Sequence, residues 1–249
     1  MARPLIVGNW KAYVTTLKDA RTLLKRVEKS LPRGLAADIV VAPTAPLVGV
    51  LTLGYKGRRI AFAAQDVFYE EGAHTGAIPA AAYVSVGVRY AIVGHAEERA
   101  RGDTDEIVAK KAAAAIAAGM TAVVCVGEHE RDQDGHYLAT LEKSLLASLA
   151  RIEAGDLKRV VIAYEPVWAI GATTPMRGRD IRETIIFIRK VLSARFERER
   201  ALKVGVLYGG AVDPDHVAEL VAESGASGFL VGRASVNAEE FAAIIRAFH

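Results

Sequence analysis

VVIAYEPVWAIGATTP, residues 160–175, begins as one kind of structure and ends as another. Its first five residues are apolar and mostly β-branched. A short run that is apolar on both of its faces is how a parallel strand covered on each side should read. Glu165 stands at the end of that run with Pro166 directly behind it. An acid in that position calls for a chemical reason, and the segment VWAIGATTP calls for a purpose.

Outward from this stretch the pattern repeats. LIVGNW (5–10), DIVVAP (38–43), IAFAAQ (60–65), YAIVGH (90–95), TAVVCVG (121–127), VGVLYGG (204–210) and GFLVGR (228–233) are runs of the same kind, so the chain holds eight. Amphipathic segments lie between them: 17–30, 105–119, 138–155, 179–200 and 213–225. Gly119 suits a helix C-cap. Asp213 and Pro214 suit the start of a helix at 213–225. RFERER (195–200) reads as a solvated helix face. Eight strands, each with a helix after it, point to a single α/β domain over 1–249, a (β/α)8 barrel. A doubly wound nucleotide fold is the poorer reading, because the first turn is GNWK and lacks the glycine-rich fingerprint. One loop is long: DVFYEEGAHTGAIP (66–79), after the third strand. A loop of that length in a compact barrel serves function or assembly, or is disordered.

Composition narrows the class. Of the 249 residues, 51% are hydrophobic and 24% charged, which supports a large core. The net charge is +3, with no basic run interleaved with aromatics, which argues against nucleic acid. Cys125 is the sole cysteine, so no internal disulfide forms. No stretch has the length of a membrane span, and the N-terminal apolar run is too short for a signal peptide. The expectation is a soluble, cytoplasmic protein. The histidines show no paired ligand spacing, so no metal is expected.

In such barrels the chemistry sits at the C-terminal ends of the strands. There the first strand delivers Asn9 and Lys11, the fourth His95 and Glu97, the fifth Cys125 and Glu128, and the sixth Glu165. The seventh ends in Gly209 and Gly210, the eighth in Gly232 and Arg233. Gly171 lies beyond the sixth strand. Backbone N–H groups of the glycine turns can close on a phosphate. An ammonium, an imidazole and a carboxylate beside such a cradle suit proton abstraction next to a carbonyl. Each feature alone has a plainer reading. A histidine at a strand end is often structural, Glu165 can pair with a lysine, and glycine turns are common. Cys125 reads as a small core residue. Their convergence on one rim is what favours chemistry. A Schiff-base aldolase fits less well, since Glu165 occupies the sixth-strand position where a lysine would be wanted.

The motifs GNWK (8–11), VGHAEER (93–99), CVGE (125–128), AYEPVWAIG (163–171), YGGAV (208–212) and GFLVGRAS (228–235) resemble those of the triosephosphate isomerase family, in the family's order and across nearly the whole chain. The resemblance implies interconversion of dihydroxyacetone phosphate and D-glyceraldehyde 3-phosphate through an enediolate, with neither metal nor organic cofactor. It gives Glu165 the part of the base, and His95 that of the electrophile opening a short helix. Lys11 becomes the cation facing substrate, Asn9 a hydrogen-bond donor to it, and Glu97 the partner of Lys11. Gly171, Ala211, Gly232 and Arg233 take phosphate-binding positions. PVWAIGATTP becomes a lid, and loop 66–79 the means of forming a homodimer. Two alternatives stand beside this reading: an isomerase of a related phosphorylated aldose or ketose, and a barrel that binds phosphosugars without turning them over.

The chain departs from the family's pattern at several places. The lid tip is GATT followed by Pro175, where the family usually has GTGK and a flexible hinge residue. Ala96 and Ala211 replace serines, and Asp66 replaces an asparagine. Arg233 replaces a glycine, which strains the turn if that turn needs a positive φ. Ala77 and Glu98 stand where a glutamate and an arginine usually join subunits, so that ion pair cannot form. His74 replaces an aromatic loop-tip residue.

Overall fold

The computed structural model describes residues 3–132, 134–170 and 176–248. All eight apolar runs are strands: β1 Leu5–Asn9, β2 Asp38–Ala42, β3 Ile60–Ala64, β4 Tyr90–Val93, β5 Thr121–Val126, β6 Val160–Tyr164, β7 Gly205–Tyr208 and β8 Gly228–Val231. Every neighbouring pair is parallel, and β8 returns to β1, so the sheet closes into a barrel in chain order. Seven strands end one or two residues before the quoted run does, and β6 ends with its run at Tyr164. Trp10, Gln65, His95 and Glu165 therefore stand beyond the ladder, on the rim.

Ten helices occur among the described residues: α1 Leu17–Ser30, α2 Ala45–Gly54, α3 Ala80–Ser85, α4 Ala96–Ala100, α5 Asp105–Ala117, α6 His136–Ser148, α7 Gly178–Arg195, α8 Arg198–Ala201, α9 Val217–Glu223 and α10 Ala238–Arg246. α1 starts where the Thr16 hydroxyl accepts the Asp19 N–H, and its apolar stripe buries Ala20, Leu23, Leu24 and Val27. α5 is capped in the same way by Thr104 and is followed by Gly119 at φ +93°.

Three helices differ from the sequence reading, the first being the segment expected at 138–155, which is helical only over His136–Ser148. The segment 179–200 is broken at Phe196, which turns extended and buries its ring, so 198–201 is a separate turn of helix. The last helix expected at 213–225 begins only at Val217. The Asp213 carboxylate accepts the N–H groups of Asp215 and His216 at 2.9 and 3.0 Å, which winds residues 214–216 into a turn instead.

The period-two alternation of each strand separates two cores. Val7, Val40, Ala63, Ile92, Val123, Cys125, Ala163, Leu207 and Leu230 point inward and fill the barrel. Their neighbours in sequence, such as Ile6, Ile39, Val124, Ile162 and Val206, point outward under the helices. Each such aliphatic side chain contributes roughly 1.5–3 kcal/mol on burial. No helix among the described residues is long and apolar enough to cross a membrane.

Loop 66–79 is closed at its base by the Phe68 N–H bonded to the Ile78 carbonyl at 2.9 Å. The Phe68 ring packs on Tyr69 and His74, and His74 Nε2 lies 3.2 Å from Glu70.

Candidate active site

The rim is assembled around an unusual turn. Lys11 has φ +45°, the one positive φ at a non-glycine among the described residues. Such a conformation costs about 1–3 kcal/mol and persists only where neighbours enforce it. Three bonds do so here. The Lys11 N–H donates to Asn9 Oδ1 at 3.0 Å, and the Gln65 amide donates to the Lys11 and Ala42 carbonyls at 2.9 and 2.7 Å. The turn points the Lys11 ammonium at Glu97, 2.8 Å away. Burial pushes the Glu97 carboxyl up, but the bond to Lys11 and the charges of Lys11 and Arg101 outweigh it and hold it below the usual range.

His95 is the N-cap of α4, and its Nδ1 accepts the Glu97 N–H at 3.1 Å. An accepting Nδ1 carries no proton, so the ring proton belongs on Nε2. That Nε2 faces Glu165, 3.4 Å from Oε1. The other carboxylate oxygen of Glu165 accepts the Ala96 N–H at 3.3 Å. At position 96 the backbone, not a hydroxyl, therefore holds the acid. Glu165 is 3% exposed, although it lies just past the end of β6.

Room for Glu165 comes from two glycines. A Cβ on Gly127 would lie 1.8 Å from the Glu165 carbonyl oxygen, and one on Gly209 would lie 2.8 Å from Glu165 Cγ. Gly127 was read only as part of the CVGE motif, with no role of its own, and Gly209 was read as part of a phosphate-binding turn. Their clearance of the acid is visible only once β5, β6 and β7 are side by side. Cys125 lies beneath Glu165 as a buried core residue, its thiol pushed well up by burial and by the charge of Glu165.

Glu128, which the sequence placed on the rim without a role, anchors the segment after Glu165. It is 1% exposed and accepts bonds from the Tyr164 hydroxyl at 2.8 Å and Trp168 Nε1 at 3.1 Å. The Val167 N–H donates to its carbonyl at 2.9 Å. Burial and the charge of Glu128 push the Tyr164 phenol up. The indole of Trp168 remains 44% exposed. Gly171 and Pro175, with the lid tip between them, lie outside the described residues.

Ala211 lies three residues past the end of β7, after Gly209 and Gly210, and Arg233 opens a short 3-10 turn, Arg233–Val236, after β8. Arg233 does not have a positive φ, so the strain expected if its turn required one is absent. Gly232, at φ −85° and ψ −110°, takes the bend. The Ser235 hydroxyl bonds the Gly232 carbonyl at 2.7 Å and lies 3.2 Å from the Asn9 carbonyl, which ties β8 to β1. A Cβ on Gly232 would stand 3.7 Å from Lys11 Cε, so the glycine turn and the ammonium share one corner. A cavity of about 380 Å³ adjoins that corner, lined by Asn9, Lys11, Tyr13, Gln65, His95 and Glu97 among others. Glu98, beside it, pairs with Arg101 of its own chain. No group of three or more His, Cys, Asp or Glu side chains is arranged to hold a metal ion among the described residues.

The structure thus brings Asn9, Lys11, His95, Glu97 and Glu165 together, with Gly232 and Arg233 beside them and Ala211 at the end of β7. Comparison with known proteins shows the family. The family model described as triosephosphate isomerase matches residues 4–248. The triosephosphate isomerase of Geotalea uraniireducens is 39% identical over 250 residues, covering 99% of each chain. That of Carboxydothermus hydrogenoformans is 39% identical over 249 residues, again 99% of each. That of Moorella thermoacetica is 39% identical over 248 residues and 98% of each. A closed barrel, a histidine facing a buried glutamate and a match over nearly the full length lead to one assignment: the chain belongs to the triosephosphate isomerase family.

Proposed function

We propose that the protein interconverts dihydroxyacetone phosphate and D-glyceraldehyde 3-phosphate. The observation that carries the reading is the pairing of Glu165 with His95 Nε2 at 3.4 Å, beside the Lys11 ammonium. Glu165 takes the proton from the carbon next to the carbonyl. The His95 Nε2–H donates to the carbonyl oxygen as charge builds there, and the Lys11 ammonium stabilises the resulting enediolate. Asn9 hydrogen-bonds the substrate oxygens. Glu165 then returns the proton to the adjacent carbon, while His95 passes a proton from the neighbouring hydroxyl oxygen to the former carbonyl oxygen, so that the carbonyl has moved by one carbon. Backbone N–H groups of Gly171, Ala211, Gly232 and Arg233 hold the phosphate. The segment from Pro166 onward closes over it and excludes water, which keeps the enediolate from expelling phosphate. The reaction uses no cofactor or metal. The chain works as one domain over 1–249, in the cytoplasm, as a homodimer joined through loop 66–79.

The test is isomerisation of D-glyceraldehyde 3-phosphate by purified protein, with Glu165→Gln alongside. The wild type is expected to turn the substrate over. The variant should keep its fold by circular dichroism and lose about 1,000-fold in kcat. A folded wild type without isomerase activity would refute the reading.

A further inference from the structure

One buried ion cluster stands next to this machinery without a part in it. Asp66 follows Gln65 at the end of β3, and its Oδ2 accepts a bond from Lys111 Nζ at 2.7 Å. The same ammonium bonds both carboxylate oxygens of Asp103, at 2.9 and 2.8 Å. The Lys111 and Asp103 side chains are only 7% and 11% exposed. One ammonium between two carboxylates leaves a surplus negative charge. Asp66 Oδ1 is buried with no hydrogen-bond partner among the described residues. Burial lifts the Asp66 carboxyl to about 6, against the bond and charge of Lys111 and with the help of Asp103 and Glu98. Tyr83 of α3 faces it too, its phenol pushed up to about 12 by burial and by Asp66.

The cluster joins three elements. Asp66 opens the loop after β3, Lys111 belongs to α5, and Asp103 to the turn between α4 and α5. α4 opens on His95 and carries Glu97, the partner of Lys11. One residue before Asp66, the Gln65 amide braces the strained Lys11 turn through the Lys11 carbonyl. The cluster therefore fixes the base of Gln65 against the helix that holds the histidine.

We propose that Asp66 is a positioning residue for Lys11, its ionised carboxylate tethered to Lys111 and thereby seating Gln65 against the Lys11 carbonyl. The inference rests on the function proposed above. A protonated Asp66 keeps its shape and loses its tether, and Lys111 turns wholly to Asp103. The Lys11 turn then loosens, and substrate binds less tightly. Once bound, the substrate's own negative charge reseats the ammonium, so turnover changes little. The loss is expected as pH falls through about 6, where Asp66 takes up its proton.

The experiment measures kcat and KM for D-glyceraldehyde 3-phosphate from about pH 5 to about pH 8 in the wild type and in the near-isosteric Asp66→Asn, with thermal unfolding of each. In the neutral range the variant's KM should exceed the wild type's about fivefold, with kcat within about twofold. The ratio of the two KM values should fall to one as pH drops through about 6. Taking the ratio cancels the titration of the substrate's phosphate. Lys111→Met removes the tether itself and should raise KM to a similar degree at every pH, whereas Lys111→Arg should keep the wild type's pH dependence. Equal KM values in the neutral range, or a ratio that ignores pH, would reduce Asp66 to a structural residue and overturn the proposal. An inactive wild type would overturn it together with the proposed function, and that result is distinct from an active wild type with a flat ratio.

Discussion

At the N-terminal ends of the strands, Arg59 donates to the carbonyls of Glu28 and Leu31, Arg159 to that of Gly119, and Arg3 to those of Leu35 and Ala37. At the C-terminal ends, Lys11 sits in a strained turn, Glu165 is buried, and the Tyr208 hydroxyl, Glu128 Oε2 and Asp66 Oδ1 have no partner among the described residues. Arg59 and Arg159 meet backbone carbonyls at or just past the C-terminal ends of α1 and α5, where positive charge is favourable, and Arg3 meets two carbonyls of the connection before β2. The second set leaves polar groups waiting for something to face. The N-terminal end also holds the roomier cleft, about 870 Å³ against about 380 Å³ beside Lys11. That cleft is lined by Arg3, Arg58, Arg59, Arg89 and Asp38, and its one carboxylate, Asp38, is paired with Arg3 at 3.3 Å rather than set against a histidine, so its volume says little about chemistry. The comparison teaches that the strained Lys11 turn and the buried acid facing a histidine, rather than empty space, mark the working end of this barrel.

Three substitutions test the division. Gly209→Ala should have the largest effect. Its Cβ would press on Glu165 Cγ at 2.8 Å and displace the carboxylate, with a fall in kcat of about 100-fold. Steady-state kinetics on the folded variant measure this, and an unchanged kcat would show that the acid tolerates displacement. Trp168→Phe comes next. It removes the indole N–H from buried Glu128 and should lower kcat/KM by about tenfold, since bonds to charged acceptors carry more than neutral ones. Arg59→Ala is the smallest. Losing its bonds to two carbonyls near the end of α1 should lower stability by about 1 kcal/mol in urea unfolding, with kcat and KM unchanged. A kinetic effect there would break the division between the two ends.

The barrel was legible because each strand is buried on both faces and so reads as an unbroken apolar run. The strand ends were less legible, since Trp10 continues the apolar pattern although it stands beyond the ladder. Asn9, Lys11, His95, Glu97 and Glu165 were readable as residue types at strand ends and through family motifs. Gln65 was not, because its targets are two carbonyls on other segments and nothing periodic announces them. Gly127 lay within the CVGE motif, yet its purpose depends on the neighbouring strand's carbonyl. The break at Phe196 escaped the helical pattern because burial of one ring, not local propensity, decides it. The apparent difficulty at Arg233 disappeared with the observed dihedrals, since Gly232 takes the bend.

The closed ladder has an unequal seam. β5 and β6 are paired at five registered positions, whereas β7 and β8 share one, Tyr208 with Phe229. A barrel without free edges offers no strand to another copy of the chain and so resists edge-to-edge aggregation. That protection is only as lasting as its thinnest join, and the thinnest join here runs between the two strands that carry Ala211, Gly232 and Arg233. Amide hydrogen exchange should open this seam before the others, and a phosphate bridging the two turns would act as a rivet across it.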